Sequence, residues 1–429
     1  MMAAWASNLR PSVTTSCIVL GAVGVSLGLS VRVLMSQNST KKTVIIPSPR
    51  ATQLPRLSKE ETSALPYPPD ALPGARDVET PYGTIKVFEW GPEDGEKVLL
   101  LHGISTPCLS LGILGEALVE RGYRVMVFDF FGRGYSDAPT DIPYDIRLYS
   151  TQMLLALASS KLPWTGDNGF HIIGYSLGGG LAVSFAKYYS HMIRSLVLVA
   201  SGGLIRSEHV SRRSRILYSK GVLPEPLLRW LVRRRITPQP ATTTSEAKMA
   251  SEVVATTTTA TTTSEQSTKK HHKNSDASGG DSFDNAVLSP HRPNSTVSSV
   301  MAWQVQHQQG FLTAFMSSIR HAPIYEQRKD WIKLGQLLAA RRKASSASGA
   351  DEDEESVGGR SLPGLLGGKV FLVLGSTDPV IVKEELIHDA ISVLGEDGFE
   401  AVVLDCGHEI VMTRGQEVAG LAAGFWSRI

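Results

Sequence analysis

Cysteine is scarce in this sequence, and neither sign of charge predominates. Its 429 residues include three cysteines, Cys17, Cys108 and Cys406. They lack the pairwise spacing of a disulfide framework or a zinc site, so reduced thiols in an intracellular setting are the simpler expectation. The 43 basic and 41 acidic residues leave a formal charge of +2. This balance gives no reason to expect nucleic acid as a partner.

Acidic side chains are absent from the first 59 residues, which carry seven basic ones. Residues 11–31 form an uncharged, apolar run that is long enough to span a bilayer, since about 20 residues suffice. The heavier positive charge after the run favours a signal anchor with the rest of the chain facing the cytosol. We therefore predict a membrane anchor in residues 1–47, with a helix over about 11–34, on the endoplasmic reticulum or another endomembrane. A mitochondrial presequence and a cleaved secretory signal are the alternatives.

The remaining chain shows one pattern in two separated parts. Residues 48–78 are rich in proline and polar side chains, which predicts a tether. Over residues 79–203 and again over 369–429, short runs rich in Val, Ile and Leu alternate with helical patterns. Buried strands separated by helices are typical of a mostly parallel sheet with helices on both faces. The sequence therefore predicts a single α/β core interrupted by an insertion.

This insertion, residues 204–368, is predicted to form a lid. Two tracts within it, 238–297 and 343–360, are dominated by small polar and charged residues. They contain too little apolar surface to offset the entropy of ordering, and we predict that both are disordered. The run KKHHK lies in the first tract, so we interpret it as a solvated linker and predict no metal site.

The start of the lid is strongly basic. Residues 204–235 carry eight arginines and one lysine against two acids, with leucines and a tryptophan among them. A basic amphipathic helix here could rest on an anionic membrane surface. A solvated lid helix whose apolar side covers the active site explains the pattern equally well, and both interpretations stay open.

Ser176 lies in the pentapeptide GYSLG, directly after a buried strand and before a helix. This context is typical of a strained strand-to-helix turn that lifts a serine hydroxyl clear of the sheet. Gly174 and Gly178 allow the close approach that such a turn requires. A phosphate-binding loop would need a Gly-Lys-Ser/Thr ending or a dinucleotide-binding spacing, and neither is present. The pattern predicts that Ser176 is a nucleophile.

A nucleophilic serine needs a histidine base and a group that orients the base. His408 follows the last predicted strand, and Asp378 follows the strand before it. This reproduces the chain order of serine, acid and histidine found with such turns. Asp405 is an alternative orienting group, but it lies within a predicted strand and only three positions before His408. Asp378 is therefore favoured.

A tetrahedral intermediate also needs backbone donors for its oxyanion. The N–H of Leu177, next to the nucleophile, is one candidate. The second is the N–H of Ile104, in the loop after LLLHG, where His102 and Gly103 shape the turn. We expect His102 to have a purely structural role.

Five motifs occur in a fixed order: VLLLHGIS, DFFGRGYSDAP, GYSLGGG, LGSTDPV and CGHEI. With them the chain resembles the α/β-hydrolase superfamily, in the branch of monoacylglycerol-lipase-like and other small serine esterases. The resemblance implies an eight-stranded, mostly parallel sheet with a helical lid inserted after the sixth strand. It also implies that Asp129 and Arg133, in the turn DFFGRGYS, support the site.

These features predict a serine hydrolase that cleaves a hydrophobic or lipid-like carboxylic ester through an acyl-enzyme, without metal or organic cofactor. The expected partners are the ester substrate and a membrane, which would be contacted by the N-terminal helix and the basic lid helix. Two other functions stay open. One is an acyltransferase in which an alcohol or peroxide replaces water, and the other is a non-catalytic, membrane-tethered interaction protein.

Overall fold

The structure is a computed structural model that describes residues 45–209, 225–236, 279–347 and 363–429. The predicted anchor helix, residues 238–278 of the first tract predicted to be disordered and residues 348–360 of the second lie outside these ranges. Across the ranges that are described, no helix combines the length and the apolar character needed to cross a membrane.

Eight strands form the central sheet, with the order β1-β2-β4-β3-β5-β6-β7-β8 from one edge to the other. The strands are β1 (Ala75–Val78), β2 (Ile85–Trp90), β3 (Lys97–Leu101), β4 (Arg124–Phe128), β5 (Phe170–Tyr175), β6 (Ile193–Val199), β7 (Val370–Gly375) and β8 (Phe399–Leu404). Strand β2 is antiparallel to its neighbours β1 and β4, and every other pair in this sheet is parallel. The predicted eight-stranded, mostly parallel sheet is confirmed, and the insertion follows the sixth strand, β6.

Nine longer helices accompany the sheet within the described ranges. They are α1 (Gly112–Val119), α2 (Ile146–Ala158), α3 (Leu177–Tyr189), α4 (Glu225–Ile236), α5 (Val297–His307), α6 (Phe311–His321), α7 (Arg328–Ala347), α8 (Lys383–Leu394) and α9 (Gly415–Trp426). Short helices span Pro49–Thr52, Lys59–Ser63, Asp281–Asn285 and Ile410–Thr413, and a two-residue antiparallel ladder joins Ile45–Ile46 to Ala138–Pro139. Helices α4 to α7 all belong to the insertion.

Burial explains why the central strands are almost uniformly apolar. Every residue of β5 and β7 is buried, whereas the edge strand β8 is partly exposed along most of its length. A strand covered on both faces cannot alternate apolar and polar side chains, and such strands therefore appear as continuous apolar runs. Helix α3 packs against β5 and β6, which fixes the turn between β5 and α3 at the carboxyl end of the sheet.

Residues 48–78 are packed against the core, so the predicted tether is wrong. Tyr67 and Leu72 are almost fully buried, and the hydroxyl of Tyr67 donates to Asp129 Oδ2 at 3.0 Å. The hydroxyl of Tyr135 in turn donates to the Tyr67 carbonyl. Strand β1 forms one edge of the sheet, so the α/β core begins before residue 79, the predicted boundary. Composition gave the wrong prediction because a few buried side chains attach this otherwise proline-rich, polar segment to the core.

The predicted tract of disorder over 238–297 is wrong at its C-terminal end. Residues 279–297 contain the helix Asp281–Asn285, and Val287 pairs with Thr296. Phe283 and Leu288 are buried, and these two apolar side chains anchor a segment whose overall composition is polar. The disorder predicted for the second tract, 343–360, also begins too early, since residues 343–347 form the end of helix α7.

Candidate active site

Ser176 lies on a strained turn between β5 and α3. Its backbone has φ of 54° and ψ of −117°, a conformation that L-residues rarely adopt without support from their surroundings. The flanking glycines provide the space. A Cβ atom on Gly178 would overlap the carbonyl oxygen of Leu101, and one on Gly174 would lie 2.5 Å from the carbonyl oxygen of Gly178. The turn therefore requires glycine at both positions.

Three side chains from separate parts of the chain meet at this turn. His408 Nε2 lies 3.1 Å from Ser176 Oγ, and His408 Nδ1 lies 2.8 Å from Asp378 Oδ2. Asp378 follows β7 and His408 follows β8, and the carboxyl ends of parallel strands lie at the same edge of a sheet. The side chains of Asp378 and His408 are 0% and 7% exposed. Sheet topology thus brings together the three residues that the sequence proposes.

The second oxygen of Asp378 is also occupied. Its Oδ1 accepts hydrogen bonds from the backbone amides of Val380 at 2.8 Å and Ile381 at 2.9 Å. Burial raises the pKa of this carboxyl, but His408 and the two amides outweigh burial, and the net pKa lies below the usual value. The alternative, Asp405, accepts instead from the hydroxyl of Ser376 at 2.9 Å. Asp378 is therefore held as a carboxylate beside the imidazole.

Two aromatic residues that the sequence analysis missed surround His408. The hydroxyl of Tyr175 donates to the His408 carbonyl at 2.6 Å, and the two rings lie 5.2 Å apart. Phe283, from the lid, lies 5.7 Å from the imidazole. Tyr175 occupies the second position of the pentapeptide, which is the only signal in the sequence for its role. Phe283 carried no signal because it lies within the tract of polar composition.

The loop after β3 is held from both sides. Ile104 and Leu177, the two candidate oxyanion donors, line one cavity together with Ser176. Arg133 Nε donates to the Ile104 carbonyl at 2.9 Å, and Gln304 Nε2 donates to the Ser105 carbonyl at 2.9 Å. Because consecutive carbonyls are both bonded, the orientation of the peptide units in this loop is determined by the core and by the lid.

Arg133 is fully buried and bonds to backbone and lid. Its Nη1 donates to the Phe131 carbonyl at 3.3 Å, and its Nη2 donates to Ser318 Oγ of α6 at 3.0 Å. Together with its bond to Ile104, these contacts occupy all three guanidinium nitrogens. The residue thus connects α6 to the loop after β3.

His102 is placed as a structural group beneath the same loop. Its Nδ1 lies 2.7 Å from the Gly103 carbonyl, and its Nε2 accepts from the Phe130 amide at 2.9 Å. Since Nε2 must accept, Nδ1 carries the proton and donates to Gly103. Burial lowers the pKa of His102 to about 3, so the ring is neutral.

Asp129 organises the turn that contains Arg133. Its carboxylate accepts from the amides of Cys108 and Tyr135, each at 2.9 Å, and from the Tyr67 hydroxyl. Burial raises the pKa of Asp129 despite these bonds. The contacts tie three separate segments to one side chain, which indicates a supporting role at a distance from Ser176.

Comparison with known proteins agrees with this geometry. Residues 97–222 match the family model described as alpha/beta hydrolase fold. A serine hydrolase-like protein of Danio rerio is 31% identical over 132 residues, which cover 30% of this chain and 39% of the relative. Over residues 97–222 the chain is similar to the α/β-hydrolase superfamily, in its serine hydrolase branch.

A human serine hydrolase-like protein is 31% identical to this chain over 123 residues, or 28% of the chain and 58% of the relative. The chain thus matches only part of the length of these curated relatives. A solved structure of a membrane phospholipase A superposes with a TM-score of 0.50 at 16% identity, covering 83% of this chain and 86% of the other. At that level of identity, the likeness concerns the fold.

The cavity beside Ser176 has a volume of about 90 Å³. Most of its walls are apolar, and the lid contributes many of them. The apolar lining residues are Ile104, Leu177, Ile205, Phe283, Phe315, Ile319, Ile324 and Val380. Among the described residues, no cluster of three or more His, Cys, Asp or Glu side chains is suited to bind a metal ion.

Proposed function

We propose that this chain hydrolyses a hydrophobic carboxylic ester, with Ser176 as nucleophile, His408 as general base and acid, and Asp378 as the group that orients the imidazole. The observation that carries the proposal is the unbroken hydrogen-bonded line from Ser176 Oγ through His408 to Asp378. Serine requires such a base because its hydroxyl is a weak nucleophile at neutral pH.

The reaction follows from these positions. Ser176 Oγ attacks the ester carbonyl while His408 Nε2 takes its proton, and Asp378 stabilises the imidazolium that forms. The amides of Ile104 and Leu177 are proposed to hold the oxyanion of the tetrahedral intermediate. His408 then returns the proton to the departing alcohol. Water, activated by the same imidazole, releases the carboxylic acid and restores Ser176.

The lining of the cavity supports a hydrophobic acyl group. Phe315, Ile319 and Ile324 come from the lid and face the same space as Ser176. Burial of an acyl chain against such a surface is favourable in proportion to the apolar area removed from water. The lipid-like substrate class, similar to that of monoacylglycerol-lipase-like enzymes, forms part of the proposal.

Membrane association belongs to the same proposal. Helix α4 exposes Leu227 and Trp230 among the arginines Arg229, Arg233 and Arg234. Exposed apolar side chains flanked by arginines are typical of helices that lie in a membrane interface. With the anchor predicted in residues 1–47, this surface would deliver the active site to lipid.

A fluorophosphonate probe tests the proposed mechanism directly. We expect it to label the folded full-length chain at Ser176 and to leave heat-denatured protein unlabelled. The Ser176→Ala variant should lose labelling and lose kcat toward a medium-chain p-nitrophenyl ester by at least about 10⁴-fold. Undiminished labelling or hydrolysis in that variant would place the nucleophile elsewhere.

A further inference from the structure

A second cavity, of about 210 Å³, is lined by no residue that lines the cavity beside Ser176. Three parts of the chain line it: residues 140–143, one side of α6, and Arg229 of α4. A single water needs only about 10–15 Å³ of such space, so the cavity can hold a group the size of a phosphate. Ser176, Asp378 and His408 do not line this cavity.

Basic side chains outnumber acidic ones in its lining. Arg229, Arg320 and His321 face the cavity, and Asp141 is the single carboxylate among its lining residues. Two guanidinium groups at one cavity are suited to oxyanions, because each presents parallel N–H donors that match the oxygens of a phosphate. The charge of the cavity therefore favours an anionic ligand.

Hydroxyl groups add donors on the same side of α6. Thr313, Ser317 and Arg320 lie at positions i, i+4 and i+7, which place them on one face of the helix. Thr313 Oγ1 is buried and has no hydrogen-bond partner within the part of the chain that the structure describes. A buried hydroxyl without a partner is unfavourable, and an oxygen of a bound ligand would satisfy it.

We propose that this cavity, which we call the α4–α6 pocket, binds the phosphate of an anionic lipid headgroup. Two observations favour a lipid over a soluble phosphate. Leu227 and Trp230, two residues before and one residue after Arg229, are 44% and 54% exposed. Leu228 and Val232 of the same helix are buried, so α4 is bound to the protein by a different face. The exposed side chains would enter the bilayer interface, where lipid phosphates lie beside Arg229.

Binding of short-chain lipids to the full-length chain in neutral detergent tests this pocket. The Ser176→Ala background prevents ester cleavage during the titration and makes the result independent of the proposed catalysis. The ligands for calorimetry are dihexanoyl phosphatidic acid, dihexanoyl phosphatidylcholine and inorganic phosphate. We expect phosphatidic acid to bind at least about tenfold more tightly than phosphatidylcholine, whose zwitterionic headgroup carries no net negative charge, and than inorganic phosphate, which has no acyl chains to contact Leu227 and Trp230.

A matched pair of variants separates the pocket from general surface charge. Arg229→Gln with Arg320→Gln removes two charges that line the pocket, and Arg233→Gln with Arg234→Gln removes two charges of α4 that do not. We expect the first pair to abolish the preference for phosphatidic acid and the second to retain it, with unchanged thermal unfolding in both. If both pairs of variants lose the preference for phosphatidic acid equally, the α4–α6 pocket is not the binding site. If inorganic phosphate binds as tightly as phosphatidic acid, the ligand of the pocket is not a lipid.

Discussion

Gln304 of lid helix α5 donates from Nε2 to the carbonyl of Ser105, at 2.9 Å, and its Oε1 accepts from the amide of Gly134 at 2.9 Å. One fully buried side chain thus connects the lid, the loop with the proposed oxyanion donor Ile104, and the turn that contains Arg133. The lid is therefore part of the support for the loop after β3 as well as a cover.

Replacing Gln304 by leucine should slow catalysis more than it weakens substrate binding. The Ser105 carbonyl and the Gly134 amide would be left without partners, which costs about 1–3 kcal/mol in the free energy of unfolding. A displaced loop would also misalign the Ile104 amide, so we expect kcat to fall by about 10- to 100-fold with little change in KM.

Gln308 is the matched control for this variant. It is also buried on the lid, and its Nε2 donates to the Gly134 and Ser136 carbonyls without reaching the loop after β3. Gln308→Leu should lose a similar amount of stability in urea unfolding but keep its kcat. Equal kcat in the two variants would contradict the role assigned to Gln304.

Asp378→Asn should lower kcat by about 10⁴-fold, because an amide can donate to His408 Nδ1 and favour the wrong tautomer of the imidazole. Asp405→Asn is the control, since Asp405 bonds to Ser376 and His408 Nδ1 bonds to Asp378. We expect the control to retain parental kcat in the same ester assay. A larger loss in the Asp405 variant would transfer the orienting role to that residue.

His102 should make the fold sensitive to mild acid. Its pKa is lowered to about 3 in the folded chain, whereas a histidine in the unfolded chain titrates near 6.5. The unfolded state therefore binds the proton first, so this contribution to stability is fully present above pH 6.5 and declines as the pH falls toward 3. Between pH 7.5 and pH 5 the loss from this one group is about 2 kcal/mol.

Urea unfolding of His102→Gln and of the parent chain at these two pH values measures the effect. The variant should be less stable than the parent at pH 7.5, but its stability should fall by about 2 kcal/mol less between the two pH values. The same fall in both proteins would show that His102 is not the group that titrates.

Gly178→Ala should destabilise the fold and reduce activity together. The new Cβ would overlap the Leu101 carbonyl and force the turn of Ser176 to shift, which costs about 1–3 kcal/mol or more. Gly420→Ala is the control on helix α9, where the nearest atom, in the Arg121 guanidinium, lies 3.6 Å from the new Cβ. That variant should gain about 0.5–1 kcal/mol, and equal behaviour of the two in urea unfolding would refute the steric argument.

Local signals in the sequence were sufficient for the strands and for Ser176. A buried parallel strand requires a continuous apolar run, and a strand-to-helix turn as tight as that at Ser176 requires small residues at 174 and 178. These demands act on neighbouring residues, so they can be read from short segments such as FHIIGYSLGGG. The acid and the histidine followed from their positions after the last two core strands.

Contacts between distant segments could not be read in this way. Tyr67 is buried against Asp129, Phe283 reaches His408, and Gln304 holds Ser105, although each stands in a segment whose composition suggests another role. Composition measures the average of a segment, whereas packing depends on single side chains. The sequence by itself therefore determined the sheet and the candidate catalytic residues. Only the tertiary structure decided which parts of the lid and of the N-terminal segment support these residues, because the supporting contacts join residues more than 60 positions apart.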